Sequence, residues 1–550
     1  MRIPRPTLGS NTLALIAAAY VAAVLNITFW HKTLALTGGS GPRLAFLGLF
    51  SLALLALLFV VASPGRLAKP VLVFLVLASA AAAYFTDTFG ILITRQMIEN
   101  AAVTTAHEAK HLITGDFLIW FAGLGLLPAA AIAWVRVRPS GIAAELRRKT
   151  VLAGALLATM LGSFATDYPF YAALLREHHE MLGSLNPVAP LTSAVRYAVV
   201  AYRQHNLVVE PIATDARRAV PAGHRRKPTV MVIVVGETAR AANFGLDGYE
   251  RDTTPELARR GVVNFPNATS CGTATETSVP CMFSMYGRER YSGDLGRSHQ
   301  TLLDVVESVG VKAEWWDNNT GSKGVADRVA QRGYTYSKSR ELCPDGECVD
   351  GIMAADLPAF LDRVDGDTVL VLHQIGSHGP AYYQRYPHAF ARFLPECRTA
   401  QFGDCTREEI VNAYDNTILY TDSFLAGVID ELSRRSDTLS GMMIYMSDHG
   451  ESLGEDGLYL HGMPYFMAPE TQTHVPFIVW LSGEAAADEG IDMGCLRASS
   501  RDSVSHDNLF HSVLGALHIQ TAVYDPALDI FARCHERGTA QTAPAVPGGA

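Results

Sequence analysis

Thr275 lies in the segment TSCGTATETSVPC, from Thr269 to Cys281, where two cysteines bracket a hydroxyl near the expected start of a helix. A threonine hydroxyl is a poor nucleophile at neutral pH and needs a base or a metal to favour its alkoxide. Groups able to help stand far away in the chain. VMVIVVGET presents Glu237, and MIYMSDHGES presents Asp448 and His449. Two carboxylates, an imidazole and a hydroxyl make an oxygen-rich zinc site around a nucleophile, with Glu237, Asp448 and His449 as ligands and Thr275 in the fourth position. A helix start at Thr275 adds backbone N–H groups suited to an incoming phosphate. Taken singly, each residue has an ordinary reading: Thr275 as an N-cap, Glu237 and Asp448 as carboxylates capping helices, His449 as a core histidine. The combination points to chemistry.

A second set suits the phosphate itself. WWDNNTGSKG places Asn319 and Lys323 after a strand, HQIGSHGP sets His378 in a glycine-flanked turn, and YLHGMP presents His461 in another. An amide, an ammonium and two imidazoles can hold phosphoryl oxygens and protonate a leaving alkoxide. YDNTILYTDS carries Asp415 and Asp422 on a helix, where a packing role is expected.

The elements that must position these groups follow from patterning. Apolar runs at Thr229–Val235, Lys312–Trp316, Thr368–Gln374, Met442–Ser447 and Val475–Leu481 read as strands, separated by helical stretches such as Arg407–Arg434. Such alternation predicts an α/β fold with a parallel-type sheet covered on both faces. In that architecture function collects beyond the carboxyl ends of the strands, where Glu237, Asn319, His378, Asp448 and His449 all fall.

The first 170 residues are different. Five apolar stretches, Thr12–Trp30, Leu44–Ala62, Pro70–Phe85, Phe117–Val135 and Thr150–Thr166, approach or reach the roughly 17–25 residues that cross a bilayer. Arg2, Arg5, Arg66, Lys69, Arg136, Arg138, Arg147, Arg148 and Lys149 fall in alternate loops, which places those loops in the cytoplasm and everything after about residue 170 outside. All eight cysteines lie between Cys271 and Cys534, in the exported part, and their even number argues for disulfides. Closeness favours Cys271–Cys281, Cys343–Cys348 and Cys397–Cys405, which leaves Cys495–Cys534. The formal net charge of −9 gives no support to a nucleic-acid partner. The expected division is a transmembrane domain at 1–170, amphipathic bridging helices and linker at 171–227, a catalytic domain at 228–537 and a disordered tail at 538–550.

In order along the chain stand VVGETAR, SCGTATETSVPCMFS, DNNTGSKGV, IGSHGP, YDNTILYTD, SDHGESLGE and YLHGMP. By these motifs the chain resembles the lipid A phosphoethanolamine transferases, including the transferable colistin-resistance enzymes, within the alkaline phosphatase superfamily. The resemblance implies a five-helix transmembrane domain and an alkaline-phosphatase-like α/β/α periplasmic domain with a mostly parallel sheet, in a multi-pass protein of the bacterial inner membrane. It implies Zn2+ held by Glu237, Thr275, Asp448 and His449, Thr275 as the residue that carries phosphoethanolamine, and substrate contacts from Asn319, Lys323, His378 and His461. In the outward loop at 87–115, MIENAAVTTAHEA implicates Asn100 and Glu108 in holding the ethanolamine lipid. The implied donor is phosphatidylethanolamine, the acceptor lipid A or the adjoining lipopolysaccharide core, and the protein is expected to act as a monomer among inner-membrane lipids. Glu276, directly after the nucleophile, departs from the small or aromatic residue of the pattern. Two alternatives stay open: transfer of phosphoglycerol, or of phosphoethanolamine to another periplasmic glycan, and a membrane-anchored binding protein with a structural metal.

Overall fold

The computed structural model describes residues 5–37, 40–103, 112–168, 170–171, 174, 179–204, 207–219, 227–334, 339, 341–344 and 347–535. The chain forms two compact units, one from residues 1–102 and 112–201 and one dominated by residues from 202 onward. The tail expected at 538–550 lies outside the described residues.

The first unit is helical. Its elements are α1 (Ser10–Val24), α2 (Ile27–Leu36), α3 (Gly41–Ala62), α4 (Ala68–Phe89), α5 (Arg95–Val103), α6 (Gly115–Trp134), α7 (Ile142–Ala165) and α8 (Val188–Gln204). The single span expected over Thr12–Trp30 is two helices bent by 65°. Asn26 at the break explains the bend. Its Nδ2 donates to the Val21 carbonyl at 2.9 Å and to Asn186 O at 3.0 Å, and its Oδ1 accepts from Asn186 N–H at 2.8 Å, so a side chain competes with the helical ladder.

Among the described residues, α3, Gly65–Phe89 and α6 are each long and apolar enough to cross a membrane, and α1 with α2 forms a fourth such span if the bent pair counts as one. The fifth expected stretch falls within α7. Glu145, Arg147, Arg148 and Lys149 occupy its first turns, which leaves a shorter apolar segment. Small residues let these helices approach: a Cβ on Gly125, in the π-helical turn Phe121–Leu126 of α6, would lie 3.2 Å from Ala80 Cβ on α4.

The second unit is built on a seven-stranded sheet. Its strands are β1 (Thr229–Gly236), β2 (Val263–Asn264), β3 (Lys312–Asp317), β4 (Ala330–Gly333), β5 (Thr368–His373), β6 (Ser440–Ser447) and β7 (Phe477–Leu481), in the order β2-β7-β6-β1-β5-β3-β4. The run β6-β1-β5-β3-β4 is parallel, whereas β7 is antiparallel to both β6 and β2. Every residue of β1, β5 and β6 is buried, as a strand covered on both faces requires. Helix α9 (Thr275–Met282), the long α10 (Arg407–Ser433) and α11 (Asp507–Ala516) belong to this unit.

Asp415 and Asp422 on α10 serve the fold. Asp415 accepts from Asn243, Tyr249 and Arg251, and Asp422 accepts the backbone N–H groups of Glu256 and Leu257 at 2.9 Å each. Disulfides join Cys271 to Cys281, Cys343 to Cys348, Cys397 to Cys405 and Cys495 to Cys534.

His506 joins two parts of the sheet edge. Its Nδ1 accepts from Cys271 N–H at 3.0 Å, so its Nε2 carries the proton donated to Ser447 O at 2.9 Å. Burial pushes its pKa down to about 3. The unfolded chain takes up this proton near pH ~6.5. Below that pH the unfolded state therefore binds more protons, and stability falls as pH falls. Acidification from about pH 7.5 to about pH 5 should cost about 2 kcal/mol through this one residue. Denaturant melts of the purified protein should show that part of the slope missing in His506→Gln; equal slopes in the two proteins would contradict it.

Candidate active site and metal centre

Register delivers the first two acidic groups. β1 and β6 are adjacent and parallel, with Gly236 opposite Ser447, so the next residues, Glu237 and Asp448, leave the sheet side by side. Two backbone devices hold them there. Thr238, in the left-handed region at φ 58°, donates its N–H to Asp448 Oδ1 at 3.1 Å and its hydroxyl to Glu237 Oε1 at 2.7 Å. Gly376, at φ 47°, passes so close that a Cβ would lie 2.6 Å from the Glu237 carbonyl oxygen.

Thr275 is the first residue of α9, following Ala274 in an extended conformation. The hydroxyl donates to Glu237 Oε2 at 3.0 Å and lies 3.3 Å from His449 Nε2. His449 Nε2 is 3.4 Å from Glu237 Oε1 and 3.3 Å from Asp448 Oδ2. Glu237, Thr275, Asp448 and His449 thus meet at one buried point.

The second set is divided. His378 and His461 each bring a ring nitrogen within 4.8 Å of a Glu237 oxygen and of each other, so Glu237 belongs to two potential ligand groups. The His461 ring centroid is 4.3 Å from that of His449 and 5.6 Å from that of His378. Asn319 Nδ2 donates to Glu237 Oε2 at 2.8 Å and to Gln374 O at 2.8 Å. Lys323 stands apart from this cluster: Nζ donates to Thr320 O and Oγ1, and lies 3.9 Å from Glu276. Asn100 lies on α5, and its side chain is outside the described residues, as is Glu108 altogether.

The electrostatics describe a charge-dense, water-poor centre. Burial, then the neighbouring Glu237, raises the Asp448 carboxyl to about 7. Burial also opposes ionisation of Glu237, but the His449, His378 and His461 imidazoles override it and hold that carboxyl well below its ordinary range. His449 is raised because Asp448 and Glu237 outweigh its own burial.

The donor set fits a divalent metal. Asp448 Oδ2 is buried and accepts no hydrogen bond. His449 Nδ1 donates to Gly450 O at 2.9 Å, which fixes the tautomer and leaves the Nε2 lone pair aimed at the two carboxylates. Two carboxylates, an imidazole and a hydroxyl are donors that zinc accepts.

Other contributors carry little local signal. Glu451 accepts or shares a proton with His461 Nδ1 at 3.0 Å and orients that ring. Asp350 accepts the N–H groups of Ile375 and Gly376 at 2.9 and 3.0 Å, which sets the turn against Glu237. Glu451 stands two residues after His449 in a motif already singled out, a position from which it could have been read; Asp350 has no such neighbour.

A mostly parallel sheet with a hydroxyl, carboxylates and imidazoles beyond its carboxyl edge is the arrangement of the alkaline phosphatase superfamily, here joined to apolar helices. Residues 229–519 match the family described as Sulfatase, and residues 51–202 match that described as Phosphoethanolamine transferase EptA/EptB. Phosphoethanolamine transferase EptA of Escherichia coli is 38% identical over 540 residues, 97% of this chain and 98% of its own. Phosphatidylethanolamine transferase Mcr-1 of Escherichia coli is 38% identical over 489 residues, 86% of this chain and 90% of its own. The integral membrane protein lipooligosaccharide phosphoethanolamine transferase A of Neisseria meningitidis superposes with a TM-score of 0.92 at 37% identity, covering 96% of this chain and 100% of that one. The chain belongs to the EptA/EptB family of phosphoethanolamine transferases. It is a multi-pass inner-membrane protein with its soluble domain in the periplasm.

Gly376→Ala should displace the Glu237 backbone and weaken the affinity of this donor set for a divalent metal about 10- to 100-fold. Metal titration of the purified variant measures this; an affinity equal to wild type would show that the close approach is tolerated.

Proposed function

We propose that this protein transfers phosphoethanolamine from phosphatidylethanolamine to lipid A, or to the adjoining lipopolysaccharide core, through a covalent adduct on Thr275. One observation carries the reading: the Thr275 hydroxyl sits within 3.3 Å of both Glu237 and His449, at the junction of a zinc-type donor set. The family supplies the group transferred. In this reading residues 1–170 form the membrane domain, 171–227 the bridge and 228–537 the catalytic domain, with 538–550 as a tail.

Zinc held by Glu237, Asp448 and His449 would favour the Thr275 alkoxide and offset charge on the phosphoryl oxygens. Thr275 Oγ1 attacks phosphorus, and the bond from phosphorus to the diacylglycerol oxygen breaks. His378 or His461 gives its proton to that departing oxygen. In the second displacement an acceptor oxygen attacks the same phosphorus, and Thr275 Oγ1 leaves. A hydroxyl or singly protonated phosphate acceptor returns its proton to the histidine; with a fully ionised phosphate the histidine regains its proton from water. Asn319 holds Glu237 in place throughout, and Glu451 keeps the His461 ring turned toward the reaction. Each transfer covers an anionic phosphate with an ammonium, which weakens attraction of cationic peptides such as polymyxin to the surface.

Thr275→Ala should abolish both the adduct and transfer while membrane insertion is retained. Intact-protein mass spectrometry after exposure to phosphatidylethanolamine reads the outcome: an adduct in the variant refutes the nucleophile assignment, and a glycerol-bearing mass on wild type selects phosphoglycerol transfer instead. His461→Ala should lower turnover about 100-fold or more while zinc stays bound. Loss of the metal from that variant would move His461 from the substrate contacts to the ligands.

A further inference from the structure

The sheet keeps a buried carboxylate–imidazole pair that the transfer reaction leaves without a task. Asp317 closes β3 and His373 closes β5, and the two residues are paired across the adjacent strands. His373 Nδ1 lies 2.9 Å from Asp317 Oδ2, which also accepts from Trp315 Nε1 at 2.8 Å. The other oxygen, Oδ1, accepts the N–H groups of Asn319 and Gly321 at 2.9 and 3.0 Å. Burial opposes ionisation of Asp317, but the His373 imidazole and the Trp315 indole override it and hold the carboxyl at about 2. The carboxylate is therefore an acceptor only, and His373 Nδ1 is the donor.

Packing does not account for the imidazole. His373 is fully buried and its Nε2 has no hydrogen-bond partner, a cost that an apolar side chain of similar size would avoid. What the ring contributes is its bond to Asp317. From there a chain of hydrogen bonds runs to the reaction centre. Asp317 fixes the backbone of Asn319, whose amide donates to Glu237 Oε2 and to Gln374 O, each at 2.8 Å. Gln374 follows His373 directly, and Asn318 N–H returns to His373 O at 2.9 Å, so the turn after β3 is tied to the end of β5 at two points. Trp315 adds a second path. Its ring packs between those of His373, at 5.3 Å, and Phe283, at 5.6 Å, the residue that follows α9 with its Thr275.

Resting on the metal site proposed above, we propose that Asp317 and His373 are positioning residues for Glu237. His373 completes the four donors around Asp317, Asp317 sets the Asn319 backbone, and Asn319 fixes the rotation of the Glu237 carboxylate. That rotation decides how its two oxygens are shared. Thr238 donates to Oε1, while Thr275 and Asn319 donate to Oε2. Loosening the pair frees the carboxylate to turn and lowers the affinity for a divalent metal without removing any ligand.

The test is a Zn2+ titration of the full-length protein in detergent, which reads the metal alone and needs no transfer. An Asn side chain sets its Nδ2 where the His Nδ1 donor stands, whereas Leu keeps the bulk and loses the bond. His373→Leu should weaken Zn2+ affinity about 10-fold, and His373→Asn should stay within about threefold of wild type. A ring kept for packing against Trp315 predicts the opposite order, with Leu the milder change; that order overturns the proposal. A double-mutant cycle with Asn319→Ala checks the route. In that background His373→Leu should weaken binding by less than about twofold further, because the path through Asn319 is already cut. Losses that multiply in full show that His373 acts elsewhere, and the proposal fails. Asp317→Asn, which keeps the volume and withdraws one acceptor, should give the same loss and the same cycle, so the result stands even if His373→Leu does not fold. A wild-type protein that binds no Zn2+ would instead overturn the metal reading on which this one rests.

Discussion

The constraint on which the rest of this structure depends is the register between two neighbouring parallel strands. Because Gly236 and Ser447 are paired, the carboxylates that follow them leave the sheet together in a place from which water is excluded. Two like charges in such a setting oppose each other, and the raised Asp448 carboxyl records that opposition. The surroundings hold the arrangement rather than relieve it. Thr238 binds both carboxylates, Gly376 closes against the Glu237 backbone, and His449 is turned inward by its bond to Gly450 O. A centre assembled this way gathers donors that could hold a metal ion beside the Thr275 hydroxyl.

Much of this was legible in the chain, for a physical reason that also sets the limit. An apolar run such as Val230 to Val235 announces a strand covered on both faces, and the first polar residue after it marks the sheet edge, which is how Glu237 and Asp448 can be found. The same logic cannot give direction. β7, with its run FIVWL, is as apolar as its neighbours yet antiparallel to β6, because burial on both faces says nothing about which way a strand runs. β4, AQRG, is exposed along its length and gives no apolar signal at all. Two-residue β2 is too short to stand out.

Supporting residues are harder to see than reacting ones. His506 lies far from Cys271 and Ser447 in the chain, and its value comes only from bonding both. Asn26 looks like an isolated polar residue in a membrane span, and only its pairing with Asn186 explains why the helix breaks there. In each case the information is a long-range hydrogen bond, which local composition does not encode.

The Cys271–Cys281 bridge has a consequence for when the chain becomes competent. It encloses the first turn of α9, and the same Cys271 backbone is fastened by His506 to the strand that carries Asp448. A thiol pair in a newly made polypeptide remains reduced in the cytosol and oxidises only after export. The segment bearing Thr275 is therefore finished by the compartment it enters. The oxidising side of the membrane thus completes the loop in which Thr275 sits.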